Sequence, residues 1–183
     1  MDFRMLDASR LTWLSKGRVA YGGGKFMFQT PRATFSIASH PRFGPEALDV
    51  ELHWSSRAGV ALVDEFTTFV RSIETHVPAS VMEGRRLVET LSFQNEMRLT
   101  AFENDGMLWF QKDGALTQPV RGATGQCMAL LEFTGVWTSA ASCGLKFKVL
   151  EIKEIEGDAG EGDAGEGDAG KGDGKYAFRD DAV

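Results

Sequence analysis

Between Leu11 and Trp54 the apolar residues come in short bursts broken by Gly and Pro, a rhythm that predicts strands joined by turns. The clearest unit is a hairpin. Residues 17–21 and 25–30 flank Gly22-Gly23-Gly24, which can take the positive φ angles of a tight turn, and Pro31 ends the second strand because proline cannot donate to a ladder. Residues 47–54 alternate, with Leu48, Val50, Leu52 and Trp54 on one face and Asp49, Glu51 and His53 on the other, which predicts a half-buried strand. The period then changes. Leu62, Phe66, Phe69, Ile73 and Val77 recur at helical spacing between polar residues, predicting one helix over 60–79.

Residues 97–102 and 107–111 predict a second hairpin across Glu103-Asn104-Asp105-Gly106, and Lys112-Asp113-Gly114 turns the chain again. Residues 127–138 and 145–155, rich in Val, Phe, Leu and Ile, predict two long strands around Ser139-Ala140-Ala141-Ser142. After them the pattern collapses into a repeat, Glu-Gly-Asp-Ala-Gly at 156–160, 161–165 and 166–170, with a degenerate copy at 171–175. The repeat holds no aliphatic side chain larger than alanine. Burial there cannot offset the entropy of ordering, so the expectation is a mainly β domain over 1–155 and a disordered, acidic, Gly-rich tail over 156–183.

Charge follows the same division. The net charge of −6 separates into 17 Lys and Arg against 16 Asp and Glu in residues 1–153, and 3 against 10 in residues 154–183. With 43% hydrophobic residues in the whole chain and twelve of its thirteen Phe before the tail, the domain can bury a core without metal or disulfide support. Cys127 and Cys143 form no C-x-x-C motif, which fits a reducing compartment. Met1-Asp2-Phe3-Arg4-Met5 lacks a secretory signal, and no apolar run has membrane-spanning length, so a soluble intracellular protein with no membrane partner is expected.

Catalysis finds no support. His40, His53 and His76 fall in three different elements, which argues against a zinc site or a Ser-His-Asp set, and no cofactor is implied. Gly22-Gly23-Gly24-Lys25 lacks the spacing of a phosphate-binding loop, and Phe26 stands where a magnesium-binding hydroxyl belongs. What remains is cations interleaved with rings on strands: Arg18, Tyr21, Lys25, Phe28, Arg32 and Phe35 early, then Trp137, Lys146 and Lys148. Such a mixture suits single-stranded nucleic acid, cations following phosphates while rings stack on bases; any half-solvated strand looks similar. Lys146 and Lys148 share a strand face, opposite Phe147 and Val149. Trp137 precedes the turn, where a ring either caps the core or meets a base.

Tyr21-Gly22-Gly23-Gly24-Lys25-Phe26-Met27-Phe28-Gln29-Thr30-Pro31 resembles the Gly-Gly-Lys, then Gln-Thr-Pro, motif of a single-stranded DNA-binding protein family of algal and giant DNA viruses. Leu131-Glu132-Phe133-Thr134-Gly135-Val136-Trp137 with Gly144-Leu145-Lys146-Phe147-Lys148-Val149-Leu150 resembles that family's closing aromatic hairpin. In plan the family is similar to the single-stranded DNA-binding proteins of short-tailed phages. The resemblance implies an OB-fold-like barrel with one inserted helix, single-stranded DNA as partner in replication and recombination, replication proteins contacted by the acidic tail, and a viral protein of the host nucleus or cytoplasm. Phage tails are denser in acid and end on an aromatic residue, whereas here Phe178 is followed by Arg179-Asp180-Asp181-Ala182-Val183.

The expected mechanism is non-catalytic coating of single strands without sequence preference. Arg18, Lys25, Arg32, Lys146 and Lys148 are assigned to phosphates, and Tyr21, Phe28, Phe35 and Trp137 to bases. The tail is expected to compete with DNA for the basic surface. The rival is a structural or adaptor protein whose barrel binds protein and whose tail is a solubilising linker, which the near-neutral charge of residues 1–153 favours. Monomer and homodimer both remain open.

Overall fold

The computed structural model describes residues 2–44, 46–54, 60–92, 95–102 and 106–156. The tail expected over 156–183 therefore lies almost wholly outside the described residues.

Eleven strands are described. They are β1 (Leu11–Trp13), β2 (Val19–Tyr21), β3 (Phe26–Gln29), β4 (Ala33–Ser39), β5 (Ala47–His53), β6 (Arg86–Leu87), β7 (Glu96–Phe102), β8 (Leu108–Phe110), β9 (Leu116–Thr117), β10 (Thr124–Thr138) and β11 (Ser142–Ile155). The main sheet runs β7-β5-β4-β10-β11-β8-β9, with β3 also on β10 and β6 also on β11. β7 returns against β11, with no ladder joining the two among the described residues. The fold is mainly β, a partly open OB-like barrel carrying one long helix, as the sequence led us to expect.

One kink makes the curvature possible. β3 pairs with residues 130–133 of β10 and β4 with residues 124–127, so a single stretch of chain follows one partner on both sides of Thr30-Pro31-Arg32. Pro31 cannot donate there. The ladder is held instead by Thr30, whose N–H donates to Ala129 O at 2.8 Å and whose hydroxyl accepts from Ala129 N at 3.1 Å. The Trp54 indole N–H donates to Pro31 O at 3.2 Å, so the proline carbonyl at this buried bend is paired as well. Register shifts in β10 at Leu130/Leu131 and Phe133/Gly135 add bends of the kind that let a sheet curl into a barrel.

The helix α1 (Val60–Thr75) closes one end of the barrel. Val63, Phe66, Val70 and Ile73 are buried, while Asp64, Glu65, Thr68 and Arg71 face solvent. It stops earlier than the spacing predicts. The residue before a proline disfavours helical angles, and Pro78 separates α1 from a second short helix, α2 (Ala79–Met82). Phe66 is the hub of the aromatic core, edge-on to Phe3 at 5.3 Å and 4.9 Å from Trp54, and the Phe69 ring is edge-on to Phe28 at 5.0 Å.

Two predicted hairpins do not form as pairs. Gly22 and Gly23 do take positive φ, and two hydrogen bonds between Tyr21 and Gly24 close the turn. Beyond it β2 pairs with β1, whereas β3 pairs with β10, where Phe26 and Phe28 bury completely. Likewise β7 pairs with β5, and β8 joins β11 in parallel. Trp109 explains the second case. Its ring buries edge-on to Phe35 at 5.2 Å and its N–H donates to Glu154 at 2.7 Å, which commits β8 to β11, while most of the turn predicted over 103–106 lies outside the described residues. The β10–β11 hairpin and the alternation of β5 are as predicted.

Phe66→Ala is expected to cost about 3–5 kcal/mol in urea unfolding, from lost burial plus the cavity left behind. Asp64→Ala, on the exposed face of the same helix, is expected to stay within about 0.5 kcal/mol.

Candidate nucleic-acid interface

The seam between β7 and β11 is an open cleft of about 1240 Å³. One wall is β7, whose alternation sends Met97, Leu99 and Ala101 into the core and turns Arg98, Thr100 and Phe102 outward. The other wall is the distal part of the β10–β11 hairpin, with Thr134, Trp137, Lys146 and Lys148. The β4–β5 loop adds His40, Arg42 and Phe43 at one side, and the stretch containing Val88, Glu89 and Thr90 lies at another.

Large rings face solvent here. Phe43 is 59% exposed, Trp137 40% and Phe102 37%, far from the burial normal for such side chains. Phe43 packs 5.8 Å from Phe102 and 4.5 Å from His40, whose Nδ1 accepts from Arg42 N at 3.1 Å. Arg42, Arg98, Lys146 and Lys148 line the cleft together with Glu89 and Glu96, so the lining itself carries an excess of cations although the domain is near neutral. Arg98 pairs with Glu51 at 2.8 Å, yet its side chain is 68% exposed, and surface pairs of this kind contribute only about 0–1 kcal/mol. A phosphate can take its place.

The nine residues singled out from the sequence divide. Trp137, Lys146 and Lys148 come together in the cleft. Phe28 and Phe35 do not: both are core residues, 0% and 2% exposed, because β3 and β4 turn these positions into the barrel, so neither can stack on a base. Tyr21 is half-buried on Phe26 at 4.8 Å, carries the Arg10 guanidinium over its ring and accepts from Asp7 N at 3.4 Å. It ties down the N-terminal segment.

Arg18 is exposed and bridges through its backbone to Gly135, and the partly buried Arg32 sits at the Pro31 bend; neither lines the cleft. Lys25 pairs with Glu132 at 2.9 Å. Glu132 lies directly opposite Lys148 in the ladder, so Lys25 belongs to the margin of the same charged surface.

Arg42, Phe43, Arg98 and Phe102 were missed. Arg98 and Phe102 were legible as the outward half of an alternating strand, but nothing local shows that this face meets β11. Among the described residues no group of His, Cys, Asp or Glu is placed to hold a metal ion, and no helix is long and apolar enough to cross a membrane.

No protein-family model and no curated protein matches the chain. Solved structures do. Gp2.5, a single-stranded DNA-binding protein encoded by bacteriophage T7, superposes with a TM-score of 0.50 at 9% identity, over 76% of this chain and 91% of that one. The C-terminally truncated single-stranded DNA-binding protein from bacteriophage Enc34 gives 0.49 at 10% identity, over 83% and 98%. The Enc34 protein in complex with single-stranded DNA gives 0.47 at 10%, over 83% and 97%. At these identities the likeness to the T7 protein concerns the fold.

Trp54 and Trp109 are 1% exposed and Trp13 is half-buried, so Trp137 is the most accessible indole among the four. Trp137→Phe is expected to remove most of the acrylamide-quenchable tryptophan emission, with little change in thermal stability.

Proposed function

We propose that the chain binds single-stranded DNA in the β7–β11 cleft, without sequence preference and without catalysis. The observation that carries this reading is the convergence of exposed rings, Phe43, Phe102 and Trp137, with Arg42, Arg98, Lys146 and Lys148 in one open cleft. Rings accept the π-face of any base and cations follow the backbone, which is the chemistry of sequence-tolerant single-strand binding. The fold likeness to a phage single-stranded DNA-binding protein supports it. A role in replication and recombination, and membership of the algal and giant virus family whose motif the chain resembles, belong to the same proposal.

Titration with oligo-dT, followed by tryptophan emission across a salt series, tests it. Quenching that weakens steeply with salt is expected, together with a loss of roughly tenfold or more for Lys146→Glu combined with Arg98→Glu. No response at low salt would favour the adaptor reading, which the near-neutral charge of the domain supports.

The acidic tail is proposed to compete for the cleft and, once displaced by DNA, to contact replication proteins, on the strength of the 9 acidic against 3 basic residues in 156–183. β11 runs to Ile155 and Glu154 holds Trp109, so a clean deletion begins after Glu156. Removing residues 157–183 is expected to tighten DNA binding, most at low salt; equal affinity there would end the competition idea.

A further inference from the structure

We propose that Gly144 is a positioning residue that holds Trp137 as a stacking platform for a nucleic-acid base; this rests on the reading of the cleft as a DNA site. Trp137 and Gly144 are direct cross-strand partners in the β10–β11 ladder. A Cβ at position 144 would lie 2.7 Å from each of Trp137 Nε1, Cε2 and Cζ2. These atoms are consecutive along the outer edge of the indole, and a point equidistant from all three lies out of the ring plane and just outside the ring outline, beside that edge. The Nε1–Cζ2 edge of the indole therefore rests against the Gly144 backbone.

The consequences follow from what surrounds the pair. With this edge seated, the exposed part of Trp137 opens toward the cleft, and the ring loses rotamer freedom before any ligand arrives, which lowers the entropic cost of stacking. Lys146 follows Gly144 by two residues on the same side of β11, so a cation stands beside the platform. Gly144 has no positive φ, so its backbone angles suit other residues equally well. The room it leaves is room for the indole.

Gly144→Ala in the full chain tests the assignment. The new methyl group must displace the ring, so the expected result is a shifted Trp137 emission spectrum and oligo-dT affinity reduced about tenfold, close to the loss from Trp137→Ala. Adding Gly144→Ala to Trp137→Ala is expected to cost nothing more, since no ring remains to be moved. If Gly144→Ala alone fails to fold, the double variant is expected to fold; failure of both would show that Gly144 serves something other than the ring and would overturn the inference. It is equally overturned if Gly144→Ala binds like the wild type while Trp137→Ala is weakened, an outcome that leaves the DNA-binding cleft standing. Wild-type affinity in Trp137→Ala and in Lys146→Glu combined with Arg98→Glu would instead remove the cleft reading, and the platform with it.

Discussion

β10 is the strand on which the rest of the molecule depends. It bonds to β11 along nearly its whole length on one side and to β3 and β4 in succession on the other. Residues 127–131 are buried on both faces. Because both of its edges are committed, the chain at Thr30-Pro31-Arg32 must bend without leaving its partner. The bend succeeds because Thr30 holds Ala129 through both its N–H and its hydroxyl, beside a proline that cannot donate, and because the Trp54 indole N–H donates to the Pro31 carbonyl. The same residues explain why a motif can be conspicuous in sequence without touching a ligand. Gly22 and Gly23 make the turn and Pro31 makes the bend.

The cleft is a by-product of incomplete closure. A barrel completed by hydrogen bonds between β7 and β11 would present a continuous wall; here the two meet through side chains, and the outward residues of both strands line a trough. Its lining concentrates cations within a near-neutral domain. Arg42, Arg98, Lys146 and Lys148 face the trough with Glu89 and Glu96, while Glu51 and Glu132 stand beside Arg98 and Lys148, so a ligand meets the arrangement of these groups rather than the net charge of the whole surface. Lys25 reaches this surface by way of Glu132, the residue opposite Lys148 in the ladder.

How much was legible varied with the range of the interaction. The alternation of 47–54, the helical period from Leu62 to Ile73 and the final hairpin were readable because each is imposed by neighbours within a few residues, through strand or helix geometry. The pairing of β3 and β8 was not, because Phe26, Phe28 and Trp109 are placed by partners about a hundred or forty residues away, and their burial outweighs any turn beside them. Part of the candidate site was readable for a local reason as well: Lys146 and Lys148 stand two apart on a strand whose other face is apolar.

By itself the sequence determined the class of fold, the position of the helix, the division of charge between residues 1–153 and the tail, and a set of rings and cations suited to nucleic acid. Only the tertiary structure decided which of those residues act together. A strand pattern records that a side chain faces in or out, so Phe28 and Phe35 looked interchangeable with Trp137 until the barrel assigned the first two to its interior. It records nothing of which outward faces oppose one another. That depends on where β7 returns to β11, and this return brings Phe43, Arg98 and Phe102 to Trp137, whose own seat on Gly144 is set by the register of the β10–β11 hairpin.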